Sequence, residues 1–223
     1  GVETRSCTHQ CDAIIAAADY HHVDRHLLPD HLSNYSDKYW NSRVLAPSSL
    51  LFYLGIDFKV PVIKHHNLFF DEDFGAHAEE IYTSHAWPKK PLFYLCAPSV
   101  TDATVAPPGK ENLFVLIPIS TKLSGDDETV REQYLQIVLN RLKAVKGIDL
   151  NKHIVYKRSY GISDFKSDYH AFQGNAYGLA NTLSQTALLK PTMKSKKLNN
   201  LYFAGQLTLP GPGMPPSIIS GRL

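Results

Sequence analysis

Leu201-Tyr-Phe-Ala-Gly205-Gln206-Leu-Thr-Leu-Pro-Gly211-Pro-Gly213-Met214-Pro215-Pro216-Ser217-Ile-Ile-Ser-Gly221 is the stretch on which the reading of this chain turns. Leu201 to Ala204 is a short apolar run of the kind that forms a buried strand, and Pro215-Pro216 leading Ser217-Ile218-Ile219 reads as the first turn of a helix. Between them Gly205, Gly211 and Gly213 admit positive φ and close backbone approach. Strand, glycine elbow and helix start would together offer main-chain N–H groups and partial positive charge to an anion or an electron-rich ring edge. The pattern fits an ordinary strand, loop and helix connection equally well, because short glycine motifs recur by chance.

Working outward, the elbow is preceded by Gly174-Asn-Ala-Tyr177-Gly178-Leu-Ala-Asn-Thr-Leu-Ser-Gln185-Thr-Ala-Leu-Leu-Lys190-Pro191 and by a basic linker, Lys194 to Lys197. Further upstream lie His65-His66-Asn-Leu-Phe-Phe-Asp71, Pro91-Leu-Phe-Tyr, and Thr101-Asp102-Ala-Thr-Val-Ala-Pro107-Pro108-Gly109, the last followed by the apolar run Leu113 to Pro118. These blocks, in this order across nearly the whole chain, resemble the C-terminal part of bacterial-type phytoene desaturases, which are FAD-dependent carotenoid desaturases of the amine-oxidase-like flavoprotein superfamily.

The resemblance implies an oxidoreductase acting on CH–CH groups in carotenoid biosynthesis, with FAD as cofactor and a long polyene as substrate. It implies an α+β fold: a mixed, largely antiparallel sheet with packed helices, and remnants of a Rossmann-like FAD domain at both ends. In that scheme residues 1–20 and 191–223 belong to the FAD-binding domain and residues 21–190 to the substrate domain. Gly205 and Gln206 would approach the FAD phosphate or ribitol, with Gly211 shaping the elbow. Gly213, Met214, Pro215 and Pro216 would present main-chain groups to the pyrimidine edge of the flavin. Gly174, Tyr177, Gly178 and Gln185 would lie near the ring or the substrate mouth. No acid or base stands out as a proton acceptor, so no catalytic residue is assigned. Full-length relatives begin with a Gly-x-Gly-x-x-Gly turn for the FAD pyrophosphate. No such fingerprint occurs in these 223 residues, which start at Gly1. The expectation is therefore a piece of somewhat under half of a family member, inactive alone and retaining little FAD. Alternatives are a carotenoid or retinoid isomerase or saturase of the same superfamily, and a non-catalytic module binding lipid or a partner.

Composition sets the outer limits. Hydrophobic residues at 43%, charged ones at 20% and a formal charge of +2 are globular values and leave no nucleic-acid footprint. Three cysteines, an odd number without a secretory segment, point to a reducing compartment rather than a disulfide framework. Val44 to Ile56, the longest nearly apolar run, contains Pro47 and falls short of the roughly 20 residues a spanning helix needs. It reads as core, as a patch by which a cytoplasmic parent would touch the membrane peripherally, or as a surface that makes the chain self-associate.

Local patterns fill in the scaffold. Val2 to His9 suits an edge strand, Asp12 to Asp19 a buried parallel strand, and Tyr20 to Leu28 a short helix stopped by Pro29. Ser48–Phe58, Asn67–Phe70, Pro91–Ala97, Leu113–Ile119 and His153–Tyr160 read as strands. Phe74–Ser84 reads as a helix with Phe74, Ala78, Ile81 and Tyr82 on its apolar face. Asp127–Lys146 is the strongest helix: Asp126 or Asp127 caps it, Val130, Tyr134, Ile137, Val138, Leu142 and Val145 form its stripe, and Gly147 ends it.

Other chemistries find little support. Cys7-Thr-His9-Gln-Cys11 has zinc-like spacing but no second pair, and Cys96 stands alone. Adjacent histidines, His21-His22 and His65-His66, point to opposite faces if extended, which argues against shared ligation, so no metal is expected. Ser48, Ser49 and Ser217 lack the Gly-x-Ser-x-Gly elbow of a hydrolase. Aromatic residues such as Trp40, Phe52, Phe93 and Tyr156 read mostly as core, the remainder as walls for an apolar tunnel.

Overall fold

Ser48–Ile56 forms a nine-residue strand, β4, in which every residue but Tyr53 and Gly55 is buried. It is an interior strand of an antiparallel sheet whose order is β5 (His66–Phe69), β6 (Phe93–Cys96), β7 (Glu111–Ile119), β4, β8 (Ile154–Tyr160). The β4–β7 ladder runs without a break from Ser48↔Ile119 to Ile56↔Glu111. Of the run Val44 to Ile56, read as core, membrane patch or self-association surface, most positions are core, while Val44 and Tyr53 are exposed.

The computed structural model describes residues 1–223 and forms two compact units, Pro47–Asp164 and a second made of Gly1–Ala46 with Phe165–Leu223. In the first, β7 alternates between buried and half-buried residues along its whole length. Its inward side chains share a core with Leu135, Val138, Leu139 and Leu142 of helix α4 (Glu128–Lys146). Asp127 caps α4 by accepting from the Val130 N–H at 2.9 Å, and Gly147, at φ 71°, closes it in the left-handed conformation that glycine tolerates best. The buried face is rotated from the expected stripe: Arg131, Leu135 and Leu139 are buried, while Val145 is 50% exposed. Arg131 is drawn in by carboxylates, with its Nε 2.8 Å from Asp126 and its Nη2 2.7 Å from Asp164.

Helix α3 (Phe74–Tyr82) departs from its pattern in the same way. Phe74 and Tyr82 are exposed, and the buried positions are His77 and Ile81. His77 can occupy the core because both ring nitrogens are satisfied: Nδ1 accepts from the Leu92 N–H at 3.1 Å, and Nε2–H donates to the Pro118 carbonyl at 3.0 Å.

In the other unit, β3 (Ile14–Ala16) runs parallel to β9 (Leu201–Phe203), in the register Ile14↔Leu201 to Ala16↔Phe203. On its other side β9 makes a bridge from Tyr202 to Lys194, whereas β3 is an edge of its two-stranded sheet, so Ile15 is 65% exposed rather than buried. Val2–Glu3 and Thr8–His9 (β1, β2) make a small hairpin in place of one edge strand, because Thr4 Oγ1 donates to the Cys7 carbonyl across the turn. Tyr20–His22 (α1) continues through a π-helical turn, Val23–Leu27, and stops before Pro29. Tyr20 stacks on Phe203 with ring centres 3.9 Å apart, in a core shared with Trp40, Phe172, Leu179 and Leu201. Residues 21–46 and 165–190 therefore pack with the two ends of the chain, a division by packing distinct from the functional one expected at 20/21 and 190/191. The remaining helices are α2 (Asp37–Asn41), α5 (Ile162–Tyr169) and α6 (Met214–Arg222). No helix is long and apolar enough to cross a membrane.

Candidate functional site

Beyond β9 the chain turns through Gly205, at φ 120°, passes a cis Leu209–Pro210 bond, and reaches α6 through Gly211 and Gly213, both also at positive φ. Two sets of hydrogen bonds fix the elbow. The Gly205 N–H donates to Ser220 Oγ at 2.8 Å, and Thr208 Oγ1 donates back to the Gly205 carbonyl at 2.8 Å. Asn175 Oδ1 accepts from the Gly178 N–H at 2.8 Å and from Gln206 Nε2 at 3.0 Å, tying the elbow to the 174–178 segment. Gly178 is required there, since a Cβ on it would lie 2.8 Å from the Gln206 carbonyl oxygen, at φ 82°.

These elements border a cavity of about 740 Å³. It is lined by small residues such as Ala17, Ala204 and Gly205, by the larger Tyr20, Phe165 and Leu207, and by the polar Asp19, His170 and Gln206. A Cβ built at Gly205 meets no atom within 4 Å, so the space beside this residue is open to a ligand. Asp19 is pushed above the ordinary carboxylate range by burial, against the hydrogen bonds it accepts from His22 N and Phe172 N. His170 stacks on His22 with ring centres 4.0 Å apart.

Of the residues expected to serve flavin or substrate, Gly205 and Gln206 line this cavity, and Gly211, Gly213, Met214, Pro215 and Pro216 do not. Met214 is 81% exposed, and Pro215 and Pro216 have no N–H, so Gly213 and Met214 supply the main-chain donors at the start of α6. Gly174 is buried at φ 68°, and Tyr177 is partly exposed outside the cavity lining. Gln185 is buried, its amide spent on backbone: Oε1 accepts from the Val44 N–H at 3.2 Å, and Nε2 donates to the Val44 and Ala180 carbonyls.

Sequence reading passed over Lys190. It is 4% exposed, its Nζ has no hydrogen-bond partner, and burial holds its pKa below the usual lysine value. A Cβ at Gly211 would come within 3.4 Å of Nζ and 3.3 Å of Cε, so the glycine makes room for the lysine. In sequence, a lysine between Ala187-Leu188-Leu189 and Pro191 carries no sign of a partner or of burial.

Residues 1–223 match the family described as flavin containing amine oxidoreductase. Carotenoid 3,4-desaturase of Haloarcula japonica is 45% identical over 211 residues, covering 95% of this chain and 42% of the relative. A 4,4'-diapophytoene desaturase (4,4'-diaponeurosporene-forming) of Staphylococcus aureus is 32% identical over 221 residues, covering 95% and 44%. The chain thus spans about two fifths of the length of these relatives. An oxidoreductase from Methanosarcina mazei, known from its crystal structure, shares the fold at a TM-score of 0.54 and 14% identity, over 95% of this chain and 42% of its own.

Proposed function

We propose, from the premise that this chain belongs to the flavin containing amine oxidoreductase family, that it is part of an FAD-dependent carotenoid desaturase. The reaction is removal of hydrogen from a C–C single bond beside a conjugated system, lengthening a polyene. The observation that carries this reading is the 45% identity to a carotenoid 3,4-desaturase across 95% of the chain. Residues 1–20 and 191–223 are assigned to the flavin side and 21–190 to the substrate side. The oxidised flavin, when bound, supplies the hydride acceptor.

The elbow suits such a group. Gly205 leaves open space beside a cavity whose wall mixes small residues with Tyr20, Phe165 and Leu207, and Lys190 brings an uncompensated buried ammonium beside Gly211. Gly205 and Gln206 are assigned to the cofactor's phosphate or ribitol region, and Gly213 and Met214 to main-chain contact with the ring edge. Gly211 is kept free of a side chain for Lys190, while Pro215 and Pro216 fix the start of α6. Around these, the Asn175 bonds hold the 174–178 segment, including Tyr177, beside the elbow, and Gln185 secures the segment that follows. A hydrocarbon substrate offers no polar handle, so it is selected by the shape of the walls and by exclusion of water. We place the protein in the cytoplasm, in peripheral contact with the membrane in which its substrate dissolves. Leu183 and Leu188, 94% and 89% exposed, are the apolar residues suited to that contact.

The test is anaerobic addition of a carotenoid in liposomes to the purified full-length gene product. Bleaching of flavin absorbance with appearance of a red-shifted polyene is the expected result; a colourless protein, or a flavin indifferent to every polyene offered, overturns the proposal.

A further inference from the structure

On the outer face of the five-stranded sheet, β5 and β6 bring together three residues with metal-ligating atoms. His66 and Cys96 are directly opposed in the antiparallel ladder, and the His65 carbonyl accepts from the Ala97 N–H one step beyond. Strand β5 starts at His66, so His65 escapes the alternation that would have sent the two rings to opposite faces. The rings lie 4.2 Å apart, centre to centre, correcting the expectation that neighbouring histidines here point away from each other. One nitrogen of each ring and the Cys96 sulfur lie within 4.8 Å of one another.

A hydroxyl holds Nδ1 of each ring. His65 Nδ1 is 2.6 Å from Thr101 Oγ1, which also lies 3.3 Å from the Pro98 carbonyl. His66 Nδ1 is 2.6 Å from the Tyr94 hydroxyl. With Nδ1 of each ring held by a hydroxyl, Nε2 is the nitrogen left to each for a metal. Anchoring one ring nitrogen so that the other is free is the outer-shell arrangement of metal-bound histidine.

We propose that His65, His66 and Cys96 form a zinc site. Two imidazoles and a thiolate are a ligand set for zinc, and three protein ligands leave the fourth position of its tetrahedron to water. Binding releases the Cys96 thiol proton to solvent and forms one Zn–S and two Zn–N bonds. Tetrahedral zinc needs its ligand atoms roughly 3.5 Å apart, a contraction of about 1 Å, to be met by small side-chain adjustments of all three residues, none of which is fully buried. The site is separate from the elbow cavity and independent of the flavin reading.

Cobalt(II), added anaerobically to the chelator-washed protein, reads this out. One equivalent should bind, with a thiolate-to-cobalt charge-transfer band and strong visible bands, both displaced by zinc. Cys96→Ser should lose the charge-transfer band, and His66→Ala should weaken zinc binding by at least about tenfold. The combined Cys7→Ser, Cys11→Ser variant should leave both unchanged. Tyr94→Phe, which keeps all three ligands and the aromatic ring, should keep the cobalt spectrum while zinc affinity falls roughly 10-fold. Absence of the bands in the wild type, their survival in Cys96→Ser, or their loss with Cys7 and Cys11 overturns the proposal.

Discussion

Two buried charges show what single residues hide from sequence. Asp24 is fully buried between Val23 and Arg25, where its carboxylate accepts from the Asn34 N–H at 2.6 Å, the Tyr35 N–H at 3.1 Å and Trp40 Nε1–H at 3.4 Å. Nothing in its neighbours announces this, because the partners are ten to sixteen residues away, in the segment entering α2 and in α2 itself. Lys190 is the opposite case, a buried cation with no partner at all. Its pKa is lowered in the folded chain, so the ammonium is disfavoured there relative to the unfolded chain. The resulting cost is complete below the folded pKa and is relieved as pH rises towards the unfolded value of 10.5. Lys190→Met should therefore raise the melting temperature at pH 7, with a gain that shrinks as the pH approaches 10.5. The same variant should retain flavin less well if the ammonium faces the cofactor. Equal melting temperatures for the two proteins at neutral pH would contradict the account of Lys190.

Elements were legible where one periodicity and one cap decided them. The span and both caps of α4 follow from Asp127, Gly147 and the apolar spacing, and the β6–β7 pairing from two apolar runs flanking a Pro-Pro-Gly turn. What the pattern missed was which side chains fill the buried face, since Arg131 and His77 are buried only because distant groups satisfy them. The elbow glycines were legible through positive φ. The cavity beside them was not, because its walls come from the 15–20, 165–176 and 204–221 regions, which only the tertiary fold assembles. The junction of α4 with α5 yields a prediction of its own. Asp126 receives Arg131 Nε and Nη2 at 2.8 and 2.9 Å, and the Ser163 N–H at 2.8 Å. A Cβ at Gly161 would sit 2.8 Å from both Asp126 oxygens and 2.9 Å from Arg131 Nη2. Gly161→Ala should cost about 3 kcal/mol by displacing a buried ion pair, although the substitution is favourable in most non-glycine conformations. Urea unfolding checks this, and in an Arg131→Met background the cost should shrink, as coupled neighbours require. A near-neutral Gly161→Ala would mean the network yields without loss.

At the scale of the whole molecule there are two separate hydrophobic cores, one within residues 50–162 and one joining residues 20–45 to 172–207. The first is contiguous in sequence and built on an antiparallel sheet with mostly local connections. The second must bring together residues more than 150 apart, as in the hydrogen bond from Phe172 N–H to Asp19, and its ordering is correspondingly costly in loop closure. Histidines in the second are shifted by burial and by one another. His21, against Phe172 at 4.0 Å and edge-on to Trp40 and His26, is lowered to about 4 by burial and then by His26, and His22 is lowered by burial and by His170. A histidine whose folded pKa lies below its unfolded value contributes stability that is complete above pH 6.5 and lost as pH falls from 6.5 towards 4. Asp19 and Asp24, both raised by burial, act in the opposite direction over part of that range. The informative quantity is therefore the difference between wild type and His21→Phe, which keeps an aromatic ring on Phe172 and removes the titration. The melting temperature of the variant relative to wild type should rise steadily as the pH is lowered from 6.5 to 4, read by near-ultraviolet dichroism of the Trp40 cluster. Amide exchange of β4 and β7, in the other core, should not distinguish the two proteins at either pH; a difference constant across that window would remove His21 as a source of acid sensitivity.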